Sequence, residues 1–406
     1  MPACVDVIVP VRRLSPAREH FFFGYYDVPA ADAAGRHLCH CVAFRDRLPV
    51  PGDRAILGWL PLPDSAAARE DGADTFRAFA ETEAWNFQQG SMLQWLASPP
   101  NTCIYNLFEE GRWGSCLHDI CAGVRRRLPL PVANVARDGR KALCINMARL
   151  YDFRPGYGYE EIADPWKDVA APEDDGVFLM DLATGAARLI LSLAEAVRLL
   201  EKAGENIGGH KVVINHITFN PSATRFLFLL RTFPEKEGAA WQTWLLTAGA
   251  EGGDVRVHPV GGLASHYHWR DDDGMLFYAR GAPGERPELV LISDATGSRT
   301  FLDRDFFRSD GHCSYSPDRR WLLYDGYPDR STPDRLRSLQ LYDLERRRGI
   351  TLGRFRSEDS GQRLVDLRCD LHPRWMPDGL SLSFDSIHEG YRGLYAADLR
   401  RIVAGR

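Results

Sequence analysis

A pattern led by histidine recurs four times in the second half of the 406-residue chain. Each copy has a histidine, two variable residues, an aromatic residue, a turn with proline or aspartate, and then an apolar run. The copies begin at His216, His266, His312 and His372, at intervals of 50, 46 and 60 residues. Repeats of this length indicate an array of equivalent structural units, and they constrain the fold more than a single motif does.

Three weaker copies precede these four. The segments 24–44, 85–96 and 132–146 keep the turn and the apolar run, but Gly24, Trp85 and Val132 stand where the histidine would be. Each of the seven units continues with short strand-like runs between Asp, Gly and Pro turns, as is typical of a four-stranded antiparallel blade. The sequence therefore predicts an all-β fold, a seven-bladed β-propeller that forms a single domain over residues 1–406.

The ends of the chain and two insertions complete this prediction. The last unit runs out soon after its third strand, so the N-terminal run "VDVIVPVRRL" is predicted to supply the missing strand and close the last blade. Helical spacing and a final glycine predict a short amphipathic helix at residues 190–204. Residues 64–84, rich in Ala, Asp and Glu, predict a helical or loop insertion in blade one.

Composition excludes several classes of function. The net charge of −5 and a pI of about 6.2 imply no polybasic face, so nucleic acid is not an expected partner. No apolar run is long enough to cross a membrane, and the first residues lack the pattern of a signal peptide. Nine cysteines, an odd number, favour reduced thiols in the cytoplasm. "LCHC" at 38–41 alternates like a strand rather than a metal site. The sequence leaves the oligomeric state open.

The four histidines are expected to lie close together. The first strand of each propeller blade lines the central channel, so equivalent positions in successive blades form a ring around the axis. His216, His266, His312 and His372 therefore belong to one side of the channel mouth. Blades one to three lack histidine at this position, so the scaffold does not require it, which favours a functional role.

Clustered imidazoles can bind a metal ion or transfer protons. Cys369 precedes His372 by three residues, and a ligand set of cysteine and histidines favours zinc, with manganese or calcium as alternatives. The predicted metal ligands are His266, His312, Cys369 and His372. His268, on the same strand face as His266, and Asp310 are alternative ligands. His216 is then free for catalysis or substrate binding.

Further polar residues follow strands near the same mouth. Arginine, tyrosine and amide side chains around a cavity suit an anionic, hydroxyl-rich ligand, because guanidinium groups make two-point contacts with carboxylates. The expected partner is an anionic oligosaccharide. The residues of this set are Tyr25, Tyr26, Asp27, Asn86, Gln88, Gln89, Arg149, Arg154, Tyr157, Tyr159, Arg231 and Arg280.

Four segments carry a resemblance to a known family. "INHITFNPSATRFLFLLR", "SHYHWRDDDGMLFYA", "DGHCSYSPDRRWLLYDGYPD" and "CDLHPRWMPDGLSLSFDS" resemble the seven-bladed propeller polysaccharide lyases, which include oligogalacturonate lyase and propeller ulvan lyases. The resemblance is clear from about residue 205 onward. Its discriminating part is the histidine before the turn, since the turn itself occurs in many TolB-like propellers. It implies a lyase that cleaves uronate-containing oligosaccharides by β-elimination.

The resemblance also implies roles for individual residues. Arg231 would face the substrate carboxylate, His216 or His266 would remove the proton at C5, and Tyr25 or Tyr157 would protonate the leaving oxygen. His268 is a further catalytic candidate. Oligogalacturonate lyases bind their metal through a glutamine and two closely spaced histidines in the last blade, whereas this chain has Cys369 and His372 there, which favours a structural zinc.

Two alternatives from other classes remain. One is a different glycan-processing or glycan-assembly enzyme on the same scaffold. The other is a non-catalytic propeller that binds a partner through its face, since one fold can host unrelated functions. The histidines and the arginine–tyrosine set favour an enzyme over a scaffold protein.

Overall fold

The structure, a computed structural model, describes residues 4–63, 65, 75–235, 239–328, 335–357 and 365–404. Two N-terminal strands, β1 (Cys4–Asp6) and β2 (Val11–Arg13), precede the first blade. Blades one and two consist of β3 (His20–Phe22), β4 (Arg36–Val42), β5 (Ala55–Pro61), β6 (Arg77–Thr82), β7 (Gln94–Trp95), β8 (Thr102–Glu109), β9 (Arg112–Asp119) and β10 (Val124–Leu128).

The remaining blades follow in chain order. Blades three and four consist of β11 (Asn134–Val135), β12 (Lys141–Cys144), β13 (Gly176–Asp181), β14 (Ala187–Ser192), β15 (Val212–Phe219), β16 (Arg225–Thr232), β17 (Thr243–Gly249) and β18 (Arg256–His258). Blades five to seven add β19 (Ala264–Trp269), β20 (Gly274–Ala279), β21 (Glu288–Ser293), β22 (Arg299–Phe301), β23 (Gly311–Tyr315), β24 (Trp321–Gly326), β25 (Leu336–Asp343), β26 (Arg348–Arg356), β27 (Arg374–Trp375), β28 (Ser381–Ser386) and β29 (Gly393–Asp398). The predicted seven-bladed β-propeller is confirmed.

The N-terminal segment completes two sheets. Strand β2 pairs antiparallel with β29, with Val11 opposite Ala397, so it is the fourth strand of the last blade. Strand β1 pairs parallel with β26, with Cys4 opposite Gly349, and is a fifth strand on blade six. The predicted closure is confirmed, and the contact with blade six adds to it.

The described residues contain three α-helices and one 3₁₀ turn at Val365–Leu367. The helices are α1 (Met147–Phe153), α2 (Leu193–Lys202) and α3 (Arg400–Val403). Helix α2 confirms the prediction for residues 190–204, and it begins where the Ser192 hydroxyl accepts a hydrogen bond from the backbone N–H of Glu195.

The predicted insertion at residues 64–84 needs a correction. Residues 64 and 66–74 lie outside the described residues, whereas Arg77–Thr82 is strand β6, the fourth strand of blade one. It pairs with β5, with Ala55 opposite Thr82. The mixed side chains of this strand give no clean alternation of apolar and polar residues, which is why the sequence did not indicate a strand there.

The aromatic position of the repeat ties neighbouring blades together. The indole N–H of Trp269 donates to the carbonyl of Thr218 at 3.3 Å, and that of Trp375 donates to the carbonyl of Ser314 at 3.2 Å. Each carbonyl belongs to the residue just before the aromatic position of the preceding blade. This position is therefore part of the scaffold, whereas the histidine three residues earlier is not required by it.

Contacts divide the chain into two compact units. Unit 1 contains the residues up to Trp95, His266–His268, and the residues from Phe301 onward. Unit 2 contains Leu96–Ser265 and Trp269–Thr300. Each has a buried apolar core, and the prediction of a single domain stays a prediction.

Two other sequence predictions concern cysteines and membranes. The "LCHC" run lies in β4, as predicted, with Cys39 buried and Cys41 half-buried. The eight cysteines whose side chains are described are free thiols. Within the described ranges, no helix has the length and apolar character needed to span a bilayer.

A buried carboxylate links two blades in unit 2. Asp294, just after β21, accepts hydrogen bonds from Thr247 and from His258, whose Nε2 lies 3.1 Å away. Ion pairs with Arg225 and Arg256 are 2.6 and 2.8 Å long. Burial alone would raise the pKa of Asp294, but these four partners lower it to about 2.

Replacing this carboxylate should cost stability in a pH-dependent way. Because the pKa of Asp294 is depressed, its contribution is present above its ordinary pKa near 4 and is lost as the pH falls through about 2. We expect Asp294→Asn to lower the free energy of unfolding by about 2 kcal/mol at neutral pH. The difference from wild type should shrink below about pH 4. Urea unfolding across a pH series measures it.

Asp254→Asn is the matched control. Asp254 pairs with the same two arginines, but its side chain is 64% exposed, so its loss should cost less than about 1 kcal/mol. An equal cost for both variants, independent of pH, would contradict this account.

Candidate metal centre

The repeat histidines have unusual backbone conformations. His216, His266 and His372 have positive φ angles of 61°, 25° and 42°. Such angles are uncommon outside glycine and cost free energy unless the surrounding structure imposes them. At His216 the strand pairing also shifts register between Asn215 and Ile217. Strain at equivalent positions of three blades indicates that the direction of these side chains matters.

Two histidines and an aspartate form a buried donor group in unit 1. The Nε2 atoms of His312 and His372 are 3.0 Å apart. A carboxylate oxygen of Asp370 completes the group, in which all three ligand atoms lie within 4.8 Å of one another. Two imidazole nitrogens and one carboxylate oxygen are ligands that divalent transition metals accept.

Two of the three donors, His312 and Asp370, are held by second partners. The Nδ1 atom of His312 lies 2.9 and 3.1 Å from the two oxygens of Asp325. Both oxygens of Asp370 accept from Nε of Arg368 at 2.9 Å, and Arg337 donates to the same carboxylate. These contacts fix the orientation of the donor atoms before a ligand binds.

The electrostatics give the donors the protonation states of metal ligands. Burial, together with the neighbouring histidines, lowers the pKa of His312 and His372 well below the ordinary value, so both imidazoles are neutral near pH 7. Burial alone would raise the pKa of Asp370, but Arg337 and Arg368 lower it well below its usual range. The group therefore consists of two neutral imidazoles and one carboxylate, as metal binding requires.

His266 borders this group and has other partners. Its ring centroid lies 4.1 Å from that of His312. Its Nδ1 is 2.8 Å from a carboxylate oxygen of Asp310, and its Nε2 is 3.4 Å from the Tyr327 hydroxyl. That hydroxyl also accepts from Arg368 at 3.0 Å. His266 is thus adjacent to the three-donor group without belonging to it.

The geometry favours Asp370 over Cys369 as the third ligand. Asp370 and His372 both belong to the donor group, and Leu371 between them packs in the apolar core of unit 1. The Cys369 sulfur lies 3.9 Å from the backbone carbonyl of Asp370, and burial raises the pKa of this thiol to about 12. The Cys369 sulfur is not among the three donor atoms that lie within 4.8 Å of one another.

Two tyrosines predicted near the channel pack against the donor group. The ring of Tyr26 lies 4.9 Å from His312 and 5.9 Å from His372, and the ring of Tyr25 lies 6.0 Å from His372. The Tyr26 hydroxyl donates to the carbonyl of Tyr267 and accepts from its N–H, at 2.7 and 3.0 Å. Tyr26 therefore contributes its ring to the site, while its hydroxyl is bonded to the backbone.

The predicted amide residues organise the same region. The side-chain oxygen of Asn86 accepts from the backbone N–H groups of Gln88 and Gln89, at 3.0 and 2.8 Å. Gln88 donates to the carbonyls of Asp366 and Arg368, at 3.0 and 3.2 Å. Asn86 and Gln88 thereby position the segment that leads to Asp370. Gln89 is half-buried, and the predicted role of these three residues in substrate binding stays a prediction.

Unit 2 contains a second set of predicted residues. The ring of His216 meets the ring of Tyr157 edge-on at 6.0 Å, and the Arg154 guanidinium lies 4.8 Å from the Tyr157 ring. Arg231 is buried and donates to the side-chain oxygen of Asn215 at 2.8 Å. Histidine, tyrosine and arginine thus occur together there, as the repeat predicts for blades three and four.

Arg149 has a structural role. It is 1% exposed, and all five of its N–H donors bond to protein oxygens, which argues against the predicted contact with substrate. The partners are the Asp164 carboxylate and the backbone carbonyls of Trp166, Val169, Ala170 and Val212. The other two candidates, His268 and Arg280, are half-buried. The ring of His268 lies 5.8 Å from the ring of Tyr315.

The chain is similar to known proteins in structure but matches none of them in sequence. No protein-family model matches the chain, and no curated protein matches it in sequence. Among solved structures, propeller enzymes of more than one kind have a similar fold. The similarity is to an oligogalacturonate lyase in complex with manganese, at 15% identity and a TM-score of 0.65 over 96% of this chain and 93% of that chain.

Two further structures define how far this likeness reaches. An oligogalacturonate lyase from Vibrio parahaemolyticus has 15% identity and a TM-score of 0.63 over 97% of this chain and 95% of that chain. A puromycin-hydrolyzing peptidase from Mycobacterium tuberculosis has 11% identity and a TM-score of 0.53, over 94% of this chain and 53% of that chain. At these identities the likeness shows the fold, and the resemblance found in the sequence is confirmed at that level.

Metal content of variants separates the two ligand sets. We expect Asp370→Ala and His312→Ala to abolish stoichiometric binding of Mn²⁺, because each removes one donor of a three-donor group. Cys369→Ala should bind as wild type does. Elemental analysis after loading and desalting measures this, with circular dichroism to verify folding. Loss of metal in Cys369→Ala alone would restore the cysteine-based set.

Proposed function

We propose that this protein is a lyase that cleaves uronate-containing oligosaccharides by β-elimination. The buried donor group of His312, Asp370 and His372 carries the proposal. It occurs in a chain whose fold is similar to that of an oligogalacturonate lyase bound to manganese. The predicted partner, an anionic oligosaccharide, follows from this reaction. The free thiols support the predicted cytoplasmic location.

The donor group fits a divalent cation, held by His312, Asp370 and His372. When bound, such a cation supplies Lewis-acid chemistry that neutralises a uronate carboxylate and acidifies the proton at C5. The prediction of zinc depended on a cysteine thiolate. Two imidazoles and a carboxylate suit manganese as well as zinc, and the manganese-bound lyase favours manganese. Calcium prefers an all-oxygen set, so it fits less well.

His266 is the base in this proposal. Because the Asp310 carboxylate accepts from Nδ1, Nε2 carries the lone pair that can take the C5 proton. The electron pair of the C–H bond forms the new double bond, and the bond from C4 to the leaving oxygen breaks. Burial raises the pKa of Tyr327, so its hydroxyl stays protonated and can donate to that oxygen.

Other candidates keep the roles that the resemblance gives them. In unit 2, Arg231 binds a substrate carboxylate, His216 is the alternative base, and Tyr157 is an alternative acid. In unit 1, Tyr25 is a further candidate acid, and its ring already lies near His372. Arg154, beside Tyr157, is positioned to bind a sugar hydroxyl or carboxylate.

A direct assay tests the activity. Incubation with galacturonan, ulvan and glycosaminoglycan fragments, with added Mn²⁺, should produce the ultraviolet absorbance of an unsaturated uronate for at least one of them. No absorbance change with Mn²⁺ or Zn²⁺ on any of these would contradict the lyase proposal. Binding without cleavage would then favour the non-catalytic alternative, and release of other products would favour another glycan-processing enzyme.

Variants of the two candidate bases identify the proton acceptor. We expect His266→Gln to reduce kcat by a factor of about 10² to 10⁴, the usual contribution of a general base, while the bound Mn²⁺ is retained. His216→Gln should have the smaller effect, and His210→Gln, at an exposed site, should have none. Loss of Mn²⁺ from His266→Gln would instead return His266 to its predicted role as a metal ligand.

A further inference from the structure

One buried carboxylate contacts both histidines of the donor group. Asp325, on β24, is fully buried. One of its oxygens accepts from the backbone N–H of His312 at 2.7 Å and from its Nδ1 at 2.9 Å. The other accepts from the backbone N–H of His372 at 3.1 Å and forms an ion pair with Arg337 at 3.3 Å. A single side chain thus sets the position of two donors from different blades.

A second aspartate at the equivalent position of the repeat shows which contacts of Asp325 belong to the propeller scaffold. Asp385 occupies the same position of β28, the fifth of six residues, as Asp325 does in β24. It accepts from the backbone N–H groups of Phe23 and Gly24, both at 3.3 Å, and pairs with Arg374 at 2.9 Å. Both aspartates therefore accept hydrogen bonds from backbone N–H groups of the next blade, and both pair with an arginine.

The imidazole contact distinguishes Asp325 from Asp385. A carboxylate with these N–H partners is an acceptor, so Nδ1 of His312 must carry the proton. The lone pair then lies on Nε2, which faces Nε2 of His372 at 3.0 Å. Among metal-binding histidines, a carboxylate at the second ring nitrogen fixes both the tautomer and the ring orientation.

We infer that Asp325 is the positioning residue of the metal centre, which holds His312 as an Nε2 ligand and aligns it with His372. This inference rests on the metal centre of the proposed function and does not depend on the reaction. It gives Asp325 a role that its counterpart Asp385 lacks, although both link neighbouring blades.

Titration with Mn²⁺ alone tests the inference, with Asp325→Asn and Asp385→Asn as a matched pair. Both variants lose a buried charge beside an arginine, so both should lose thermal stability. We expect Asp325→Asn to weaken the affinity for Mn²⁺ by about 10- to 100-fold, whereas Asp385→Asn binds as wild type does. Equal affinities in the two folded variants would overturn the inference. A wild type that binds neither Mn²⁺ nor Zn²⁺ would instead overturn the metal centre itself.

A measurement on wild type remains decisive if Asp325→Asn does not fold. In the Zn²⁺-loaded protein, imidazole ¹⁵N signals assigned to His312 through its own backbone should show a protonated Nδ1 and a metal-bound Nε2. A His312 with the opposite tautomer, metal-bound through Nδ1, would overturn the inference.

Discussion

The Arg337 guanidinium bridges two fully buried carboxylates, Asp325 and Asp370, and the site in unit 1 depends on this bridge. Removing a charge from water is costly, so a buried carboxylate persists only when a partner charge and hydrogen bonds compensate it. Arg368 adds a second compensation for Asp370. Burial lowers the pKa of His312, and the charges of Arg337 and Arg368 lower it further, so this imidazole stays neutral and keeps a lone pair for a ligand.

Much of this fold could be predicted from the sequence, because each blade of a propeller repeats the same local sequence pattern. The turn, the apolar run and the aromatic position recur, so seven blades and their first strands follow from the pattern. The closing strand followed from a count of strands in the last unit. Strand β6 was missed because its apolar and polar residues do not alternate regularly.

The repeat pattern predicted only some residues of the candidate site. His312 and His372 stood out because a repeat position acquired a residue that the scaffold does not require. Asp370 and His372 flank the apolar Leu371, which could have indicated Asp370 as a donor. The spacing of Cys369 from His372 instead favoured the thiol. Arg337 and Arg368 carry no local signal, since their partners are set by tertiary packing. A repeat can show where a site is, but the compensation of its charges depends on residues distant in sequence.

The pairing of β1 and β2 has a consequence for the order of folding. Blades six and seven, which carry His312, Asp325, Asp370 and His372, take their outermost strands from the beginning of the chain. These strands lie far in sequence from their partners β26 and β29, and forming contacts between such distant segments is slow. We therefore expect the sheets of blades six and seven, beside which the donor group lies, to be completed late in folding.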